Sequence, residues 1–323
     1  MYFKGGHIMK NQVTKKLIAL TGAAILSVGL LAGCGSSNGS DAEPAANPAE
    51  SVQPADNAPE TSQIPAETAQ ASAPAEVENK GTITVAASAT PHAEILEQAA
   101  PILAEQGWTL DVTVFDDYIL PNNVVESEEF NANYFQHIPY LDSFNAEQGT
   151  HLVNAGGIHY EPFGIYPGTK SDLSELADGD TIAVPNDTTN EARALLLLED
   201  NGVLTLKEGA GLEATVNDIE EKKIDVEILE LEAAQVARVK DEVAFVVLNG
   251  NYALQAGFSV ANDSVAYETS DSEAAKTYVN VIAVKEGHEG DEGIQALVGV
   301  LKSDAIKQYI NDTYDGAVIP FEE

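Results

Sequence analysis

From residue 81 to residue 323 the sequence alternates short apolar runs with segments of helical periodicity. Ile83, Val85 and Ala87 alternate with polar neighbours, which is typical of a strand with one buried face. Residues 243–248 are apolar at every position, as expected for a strand that is covered on both faces. This alternation of strands and helices predicts a mostly parallel α/β architecture, built as one domain or as two lobes.

Other elements follow from the same periodicities. We predict strands at residues 110–114, 181–184 and 224–231, and helices at about 188–200, 233–240 and 291–312. Thr188 and Glu191 fit a capping box at the start of the first of these helices, and Asn201-Gly202 fits its end. Arg193 therefore lies about one turn into this helix, where its guanidinium can pair with a carboxylate near the helix N-terminus.

The first 34 residues carry the signals of an exported lipoprotein. A lysine-containing start precedes an apolar run at residues 17–32, which is shorter than the roughly 20 apolar residues of a spanning helix. The run ends in Leu31-Ala32-Gly33-Cys34, which resembles a bacterial lipobox. We therefore expect a signal peptide at 1–33 and a lipidated Cys34 that anchors the protein to the outer face of the cell membrane. A membrane-spanning helix with an incidental cysteine is the alternative.

The segment after the cysteine has the composition of a linker. Residues 35–80 contain eleven Ala, six Pro, eight acidic residues and no aromatic residue. Such a segment buries too little apolar surface to offset the loss of conformational entropy on folding. We therefore predict that residues 34–80 form a lipidated, disordered linker that holds a folded domain away from the membrane.

Composition and motifs exclude several classes of function. The net charge of −36 excludes a nucleic-acid partner, because binding to phosphates requires a basic face. A single cysteine excludes a disulfide framework or a thiolate metal cluster. The sequence contains no nucleophile elbow, P-loop or H-E-x-x-H motif, so we expect no enzymatic activity and no cofactor. Residues 209–214 match G-x-G-x-x-A, but they do not follow a strand and we interpret them as a loop.

A metal site is an alternative interpretation of two residues. His159 and Glu161 are two positions apart and offer a nitrogen and an oxygen ligand on one strand face. A zinc- or manganese-binding lipoprotein therefore remains possible, beside the ordinary interpretation of core or surface histidines. A surface hydrolase or an adhesin is a further alternative.

Six blocks, in order along the chain, resemble the NlpA family of methionine-binding lipoproteins, the solute receptors of methionine ABC importers. The blocks are DYILPN (117–122), NANYFQHIPYL (131–141), VPNDTTN (184–190) with Arg193 and the leucines at 195–198, ELEA (230–233), VLN (247–249) and YVN (278–280). The resemblance covers nearly all of the chain from residue 81 onward.

The resemblance implies a two-lobed periplasmic-binding-protein fold of the α/β class, similar to type II. Each lobe is then a mixed sheet flanked by helices, and the ligand lies in the cleft between the lobes. The solute-binding domain is expected at 81–323. Within it, lobe I is expected at about 81–167 and 270–323, and lobe II at about 168–269.

The resemblance also implies a set of ligand-binding residues. Arg193 is expected to bind the ligand carboxylate, and Asn249 and Asn280, each near a strand end, to bind its backbone groups. An aromatic group is expected around the ligand side chain, formed by Tyr118, Phe135, His137 and Tyr140. A thioether suits such a group, because a sulfur–aromatic contact contributes about 0.3–1.5 kcal/mol. Alternatively, these residues are core or capping positions.

These inferences together predict a lipid-anchored receptor, which we expect to be a monomer. It captures L-methionine and delivers the ligand to a membrane permease that carries an ATPase. The stretch at 159–166 differs from family members in which this stretch is more apolar. D-methionine, a methionine-containing dipeptide and other thioether ligands therefore remain open.

Overall fold

The computed structural model describes residues 77–269 and 276–322. The predicted signal peptide, Cys34 and most of the predicted linker lie outside the described residues. Within those two ranges, every helix is too short or too polar to cross a membrane.

Short strands and helices alternate along the chain. The strands are β1 (Gly81–Ala87), β2 (Trp108–Val114), β3 (Ala132–His137), β4 (Leu152–Tyr160), β5 (Gly164–Pro167), β6 (Thr181–Pro185), β7 (Leu204–Leu206), β8 (Ile219–Lys222), β9 (Glu227–Leu231), β10 (Phe245–Leu248), β11 (Ala266–Tyr267), β12 (Val279–Lys285) and β13 (Ile319–Pro320). The helices are α1 (Glu94–Glu105), α2 (Leu120–Glu126), α3 (Ile138–Gln148), α4 (Thr188–Asp200), α5 (Ala233–Val236), α6 (Gly250–Gln255), α7 (Val260–Asp263), α8 (Glu292–Leu301) and α9 (Asp304–Tyr314).

Two larger sheets organise these strands. The first sheet has the order β13-β4-β12-β3-β1-β2, and the second has the order β11-β5-β10-β6-β9. In the first sheet β1 is parallel to β2 and β3, whereas β12 is antiparallel to β3 and β4. In the second sheet β6 is parallel to β9 and β10, whereas β5 is antiparallel to β10. Both sheets are therefore mixed, as the resemblance implies.

Each sheet has its own apolar core. In the first, Val85 packs with Ile95 of α1 and Leu297 of α8, and all three side chains are fully buried. In the second, Leu195 and Leu198 of α4 pack with Phe245 of β10. Complete burial of such a side chain contributes about 1.5–3 kcal/mol, so these contacts are the main stabilising term for each sheet.

Helix α4 has the bounds predicted from the sequence, but its start differs in detail. The N-cap is Asp187, whose Oδ1 accepts a hydrogen bond from the Asn190 backbone N–H at 3.1 Å. The predicted capping box is therefore wrong. Thr188 donates instead to Glu147 Oε1 at 2.7 Å, and the Glu191 carboxylate accepts from the Val216 backbone N–H at 2.8 Å.

Three other predicted elements are corrected. The predicted helix at 291–312 is two helices, α8 and α9, because Ser303 between them has an extended backbone with ψ of 155°. The predicted strand at 224–231 is shortened to β9, and the predicted helix at 233–240 consists of α5 and a 3₁₀ turn, Ala237–Val239. Residues 209–214 form a loop with a short 3₁₀ turn, Gly211–Glu213, as predicted.

The chain passes from the first sheet to the second between Tyr160 and Gly164. Strand β5, which the sequence prediction assigned to lobe I, pairs with β10 and so belongs to the second sheet. The chain returns to the first sheet between β11 and β12. The limits of the two lobes otherwise stay a prediction.

Candidate ligand-binding site

A small cavity lies between residues of the two sheets. All seven side chains predicted from the sequence line it: Tyr118, Phe135, His137, Tyr140, Arg193, Asn249 and Asn280. The other lining residues are Gln136, Glu161, Asn190, Gly250 and Asn251. The fold therefore gathers the predicted residues in one place, and their contact with a ligand stays a prediction.

Arg193 projects from α4 and is almost completely buried, with 4% of its surface exposed. Its Nε donates to Glu268 Oε1 at 2.8 Å, and its Nη2 donates to Glu268 Oε2 at 2.5 Å and to the Glu161 backbone oxygen at 3.0 Å. The family resemblance implies that this guanidinium fork binds a ligand carboxylate, but Glu268 already occupies two of its nitrogens. The bonds to Glu268 and to the Glu161 backbone oxygen use Nε and Nη2, and we expect Nη1 to be the nitrogen that meets a ligand.

Aromatic rings fix the plane of the same guanidinium. The Cζ atom of Arg193 lies 4.0 Å from the ring centre of Tyr278 and 4.7 Å from that of Phe163. Burial alone would lower the pKa of Arg193, but the carboxylate of Glu268 outweighs it and raises the pKa above its usual value. Arg193 therefore stays charged and has little freedom to move, which is the condition for a directional anion-binding group.

Asn190 connects two of the predicted residues. Its Oδ1 accepts from Asn249 Nδ2 at 2.8 Å and lies 3.0 Å from His137 Nε2. The Tyr140 backbone N–H donates to His137 Nδ1 at 3.1 Å, so the proton of a neutral His137 is on Nε2 and is donated to Asn190. Burial lowers the pKa of His137 to about 3, so the ring is neutral. Both ring nitrogens are engaged, and His137 can contact a ligand through its ring carbons alone.

The amide groups around the cavity have unused hydrogen-bonding capacity. Among the described residues, the buried Asn249 Oδ1 and Asn251 Nδ2 have no hydrogen-bond partner. Asn280 lies near the start of β12, where its Oδ1 is 3.0 Å from His92 Nε2. This contact orients the amide so that Nδ2 is the group left for a ligand. Buried polar groups are rarely left unsatisfied, so these atoms indicate a ligand that both donates and accepts hydrogen bonds.

Aromatic rings also line the cavity. The ring centres of Tyr118 and Phe135 are 5.6 Å apart, and Tyr140 lies 5.6 Å from Tyr118 and 6.0 Å from Phe135. The Tyr118 hydroxyl donates to Asn251 Oδ1 at 2.5 Å. We call Tyr118, Phe135 and Tyr140 the aromatic wall, and Asn190, Arg193 and Asn249 the polar wall.

Several residues of the site were not selected from the sequence. Asn190 lies three positions before Arg193 on α4, and this spacing places both on one helix face. That spacing could have identified it. Glu268 follows β11 and is 75 residues from Arg193 in the chain, so no sequence pattern links the two.

The suggested metal ligands do lie together. His92, His159 and Glu161 are buried, and one ligand atom of each lies within 4.8 Å of the others. His159 Nε2 is 2.7 Å from Glu161 Oε1, and His92 Nε2 is 3.3 Å from it. Burial lowers the pKa of His92 to about 4 and that of His159 to about 3. Hydrogen bonds from two neutral imidazoles to one carboxylate account for these contacts without a cation.

Two mixed β-sheets with flanking helices, and a polar and aromatic cavity between residues of the two sheets, are typical of the substrate-binding proteins of the periplasmic-binding-protein class. Within that class, the chain belongs to the NlpA lipoprotein family, whose profile matches residues 83–322. The methionine-binding lipoprotein MetQ of Bacillus subtilis is 41% identical over 248 residues, which are 76% of this chain and 89% of that protein.

Solved structures agree with this assignment. A crystal structure of a lipoprotein from Ruminococcus gnavus is 76% identical, with a TM-score of 0.74 over 75% of this chain and 99% of that one. A nutrient-binding protein from Burkholderia cenocepacia, solved bound to methionine, is 38% identical, with a TM-score of 0.71 over 74% of this chain and 100% of that one. The family consists of binding lipoproteins rather than enzymes.

Proposed function

We propose that the protein is a lipid-anchored receptor that captures methionine outside the cell membrane and delivers it to an ABC importer. One observation carries this proposal. Unused donors and acceptors line the same small cavity as the rings of the aromatic wall. A free amino acid with an apolar, sulfur-containing side chain matches both sets of groups.

The polar groups suit the backbone groups of an amino acid. Arg193 Nη1 and Asn280 Nδ2 are donors for a carboxylate, and a charged donor strengthens such a bond. Asn249 Oδ1 is an acceptor for an ammonium group. An uncharged apolar molecule would leave these groups unsatisfied, at a cost of about 1–3 kcal/mol each.

The aromatic wall suits a thioether. Sulfur is polarizable and contributes about 0.3–1.5 kcal/mol for each contact with an aromatic ring. A charged side chain would lose its hydration against Tyr118 and Phe135 without gaining a partner. The names of the Bacillus and Burkholderia proteins, which refer to methionine, support the same ligand.

Closure of the two sheets around the ligand provides the link to transport. Hydrogen bonds already join elements of the two sheets, including His137 to Asn190 and Thr188 to Glu147. A ligand that contacts both walls adds further bonds across the cleft and stabilises the closed state. The permease with its ATPase would then recognise the loaded receptor, which lipidated Cys34 holds at the outer face of the membrane.

A ligand panel measured by thermal shift and calorimetry tests this function. We expect L-methionine to raise the unfolding temperature and to bind with a 1:1 stoichiometry. D-methionine and glycyl-methionine in the same panel determine the stereochemical and dipeptide preference. Stabilisation by zinc or manganese with no effect of any methionine compound would contradict the proposal and favour a metal receptor.

A further inference from the structure

The charges around the cavity do not balance. Among the described residues that line it, the ionisable side chains with a formal charge at neutral pH are Arg193 and Glu161. The charge of Arg193 is already matched by Glu268, through two hydrogen bonds at 2.8 and 2.5 Å. The Glu161 side chain is buried, with 5% of its surface exposed. Burial raises the pKa of its carboxyl group, and the nearby His92 and Arg193 lower it only in part, so the carboxylate lacks a full positive partner.

The two histidines beside Glu161 do not supply that cation. The Tyr134 hydroxyl lies 2.5 Å from His159 Nδ1 and donates to it, so His159 carries its proton on Nε2 and donates to Glu161 at 2.7 Å. His92 Nε2 lies between Asn280 Oδ1 at 3.0 Å and Glu161 Oε1 at 3.3 Å. Since both rings are neutral, they hold the carboxylate by hydrogen bonds and leave its charge in place.

The surrounding backbone holds Glu161 beside the polar wall. A Cβ atom at Gly250 would lie 2.6 Å from Glu161 Cβ and 2.7 Å from its Oε2, so this close packing requires glycine. On the other side, Arg193 Nη2 donates to the Glu161 backbone oxygen at 3.0 Å. Glu161 and Arg193 are thus adjacent and both line the cavity, so a ligand ammonium that meets the carboxylate would lie close to the guanidinium proposed to bind the ligand carboxylate.

We infer that Glu161 is the counter-charge for the α-ammonium group of the ligand, and that the site selects free amino acids with an unmodified amino group. This inference rests on the proposed function and adds a substrate requirement to it. A ligand ammonium would give the buried carboxylate the positive partner that the protein itself does not provide. A deaminated or N-acylated thioether acid would leave that charge unpaired.

The test compares methionine with 4-(methylthio)butanoate, which is methionine without its amino group. Calorimetry is carried out on the wild-type protein, on Glu161→Gln and on Glu191→Gln. Glu191 is an equally buried glutamate of α4 that does not line the cavity. We expect Glu161→Gln to weaken methionine binding on the order of 100-fold, because it removes one member of a buried charge pair. The same variant should change binding of the deaminated acid by less than about threefold, and Glu191→Gln should leave methionine affinity unchanged.

Equal losses for both ligands, or no loss for either, would overturn the inference. A crystal structure of the wild-type protein with methionine provides a second measurement that does not depend on the variant folding. The ammonium nitrogen is expected about 2.7–3.2 Å from a Glu161 carboxylate oxygen, and a separation too long for a hydrogen bond would also overturn the inference. If the wild-type protein does not bind methionine, the proposed function fails; if it binds methionine and Glu161→Gln has no effect, this inference alone fails.

Discussion

The aromatic wall and the polar wall differ in how many of their hydrogen-bonding groups already have a partner in the protein. The rings of Tyr118, Phe135 and Tyr140 contact one another, and the hydroxyls of both tyrosines already have acceptors. In the polar wall, by contrast, Asn249 Oδ1 has no hydrogen-bond partner within the described ranges. The aromatic wall therefore offers mainly ring surface to a ligand. The polar wall offers a buried group whose hydrogen bond a ligand can complete.

This difference predicts how binding energy is divided between the walls. An unsatisfied buried polar group costs about 1–3 kcal/mol, and more when it is charged. A single sulfur–aromatic contact contributes about 0.3–1.5 kcal/mol. Substitutions in the polar wall should therefore reduce affinity for every amino acid, whereas substitutions in the aromatic wall should mainly change the choice among side chains.

The largest effect is expected for Arg193→Lys. An ammonium group cannot reproduce the two bonds to Glu268 and still direct a donor into the cavity, so affinity for methionine should fall on the order of 100-fold or more. Isothermal titration calorimetry measures the loss, and Arg238→Lys, at an exposed arginine outside the cavity, is the matched control. Unchanged affinity in Arg193→Lys would remove this residue from the site.

A smaller effect is expected for Asn280→Ala. This asparagine belongs to the first sheet but acts with the polar wall, because His92 orients its amide toward the cavity. Loss of the Nδ2 donor should weaken methionine binding roughly tenfold to 100-fold. The measurement is calorimetry together with the amount of methionine that co-purifies with the protein.

Asn145→Ala is the control for this substitution. Asn145 is a partly buried asparagine that bonds to the backbone of Leu152, outside the cavity. Its loss should lower the unfolding temperature and leave affinity unchanged. Full retention of methionine by Asn280→Ala would show that this amide does not hold the ligand.

The smallest effect is expected for Phe135→Leu. Removal of one ring should lower methionine affinity by less than about tenfold, because a single sulfur–aromatic contact is lost. Norleucine has a methylene in place of the sulfur, so its affinity should fall less and the preference for methionine should narrow. Phe144→Leu, at a ring that packs against Tyr140 but does not line the cavity, is the control. An unchanged preference would place the sulfur away from Phe135.

Elements with strong local signals were predicted well. Helix α4 was predicted at its observed bounds, because an apolar run with Asn201-Gly202 at its end determines a helix locally. The break at Ser303 between α8 and α9 was missed, because the apolar periodicity continues across it. The sheet to which β5 belongs was also missed. Its partner, β10, lies about 80 residues further along the chain, and strand pairing at that distance leaves no local pattern.

The sequence by itself determined the α/β class, the position of α4 and, through the family resemblance, seven of the residues that line the cavity. Only the tertiary structure decided which charges face each other. Glu268 occupies the fork of Arg193, and His92 and His159 surround Glu161 with neutral hydrogen-bond donors. Apart from His159 and Glu161, these partners lie far apart in the chain, and the energy of an ion pair or a hydrogen bond depends on distance in space. Residue types and their spacing along the chain do not carry that distance.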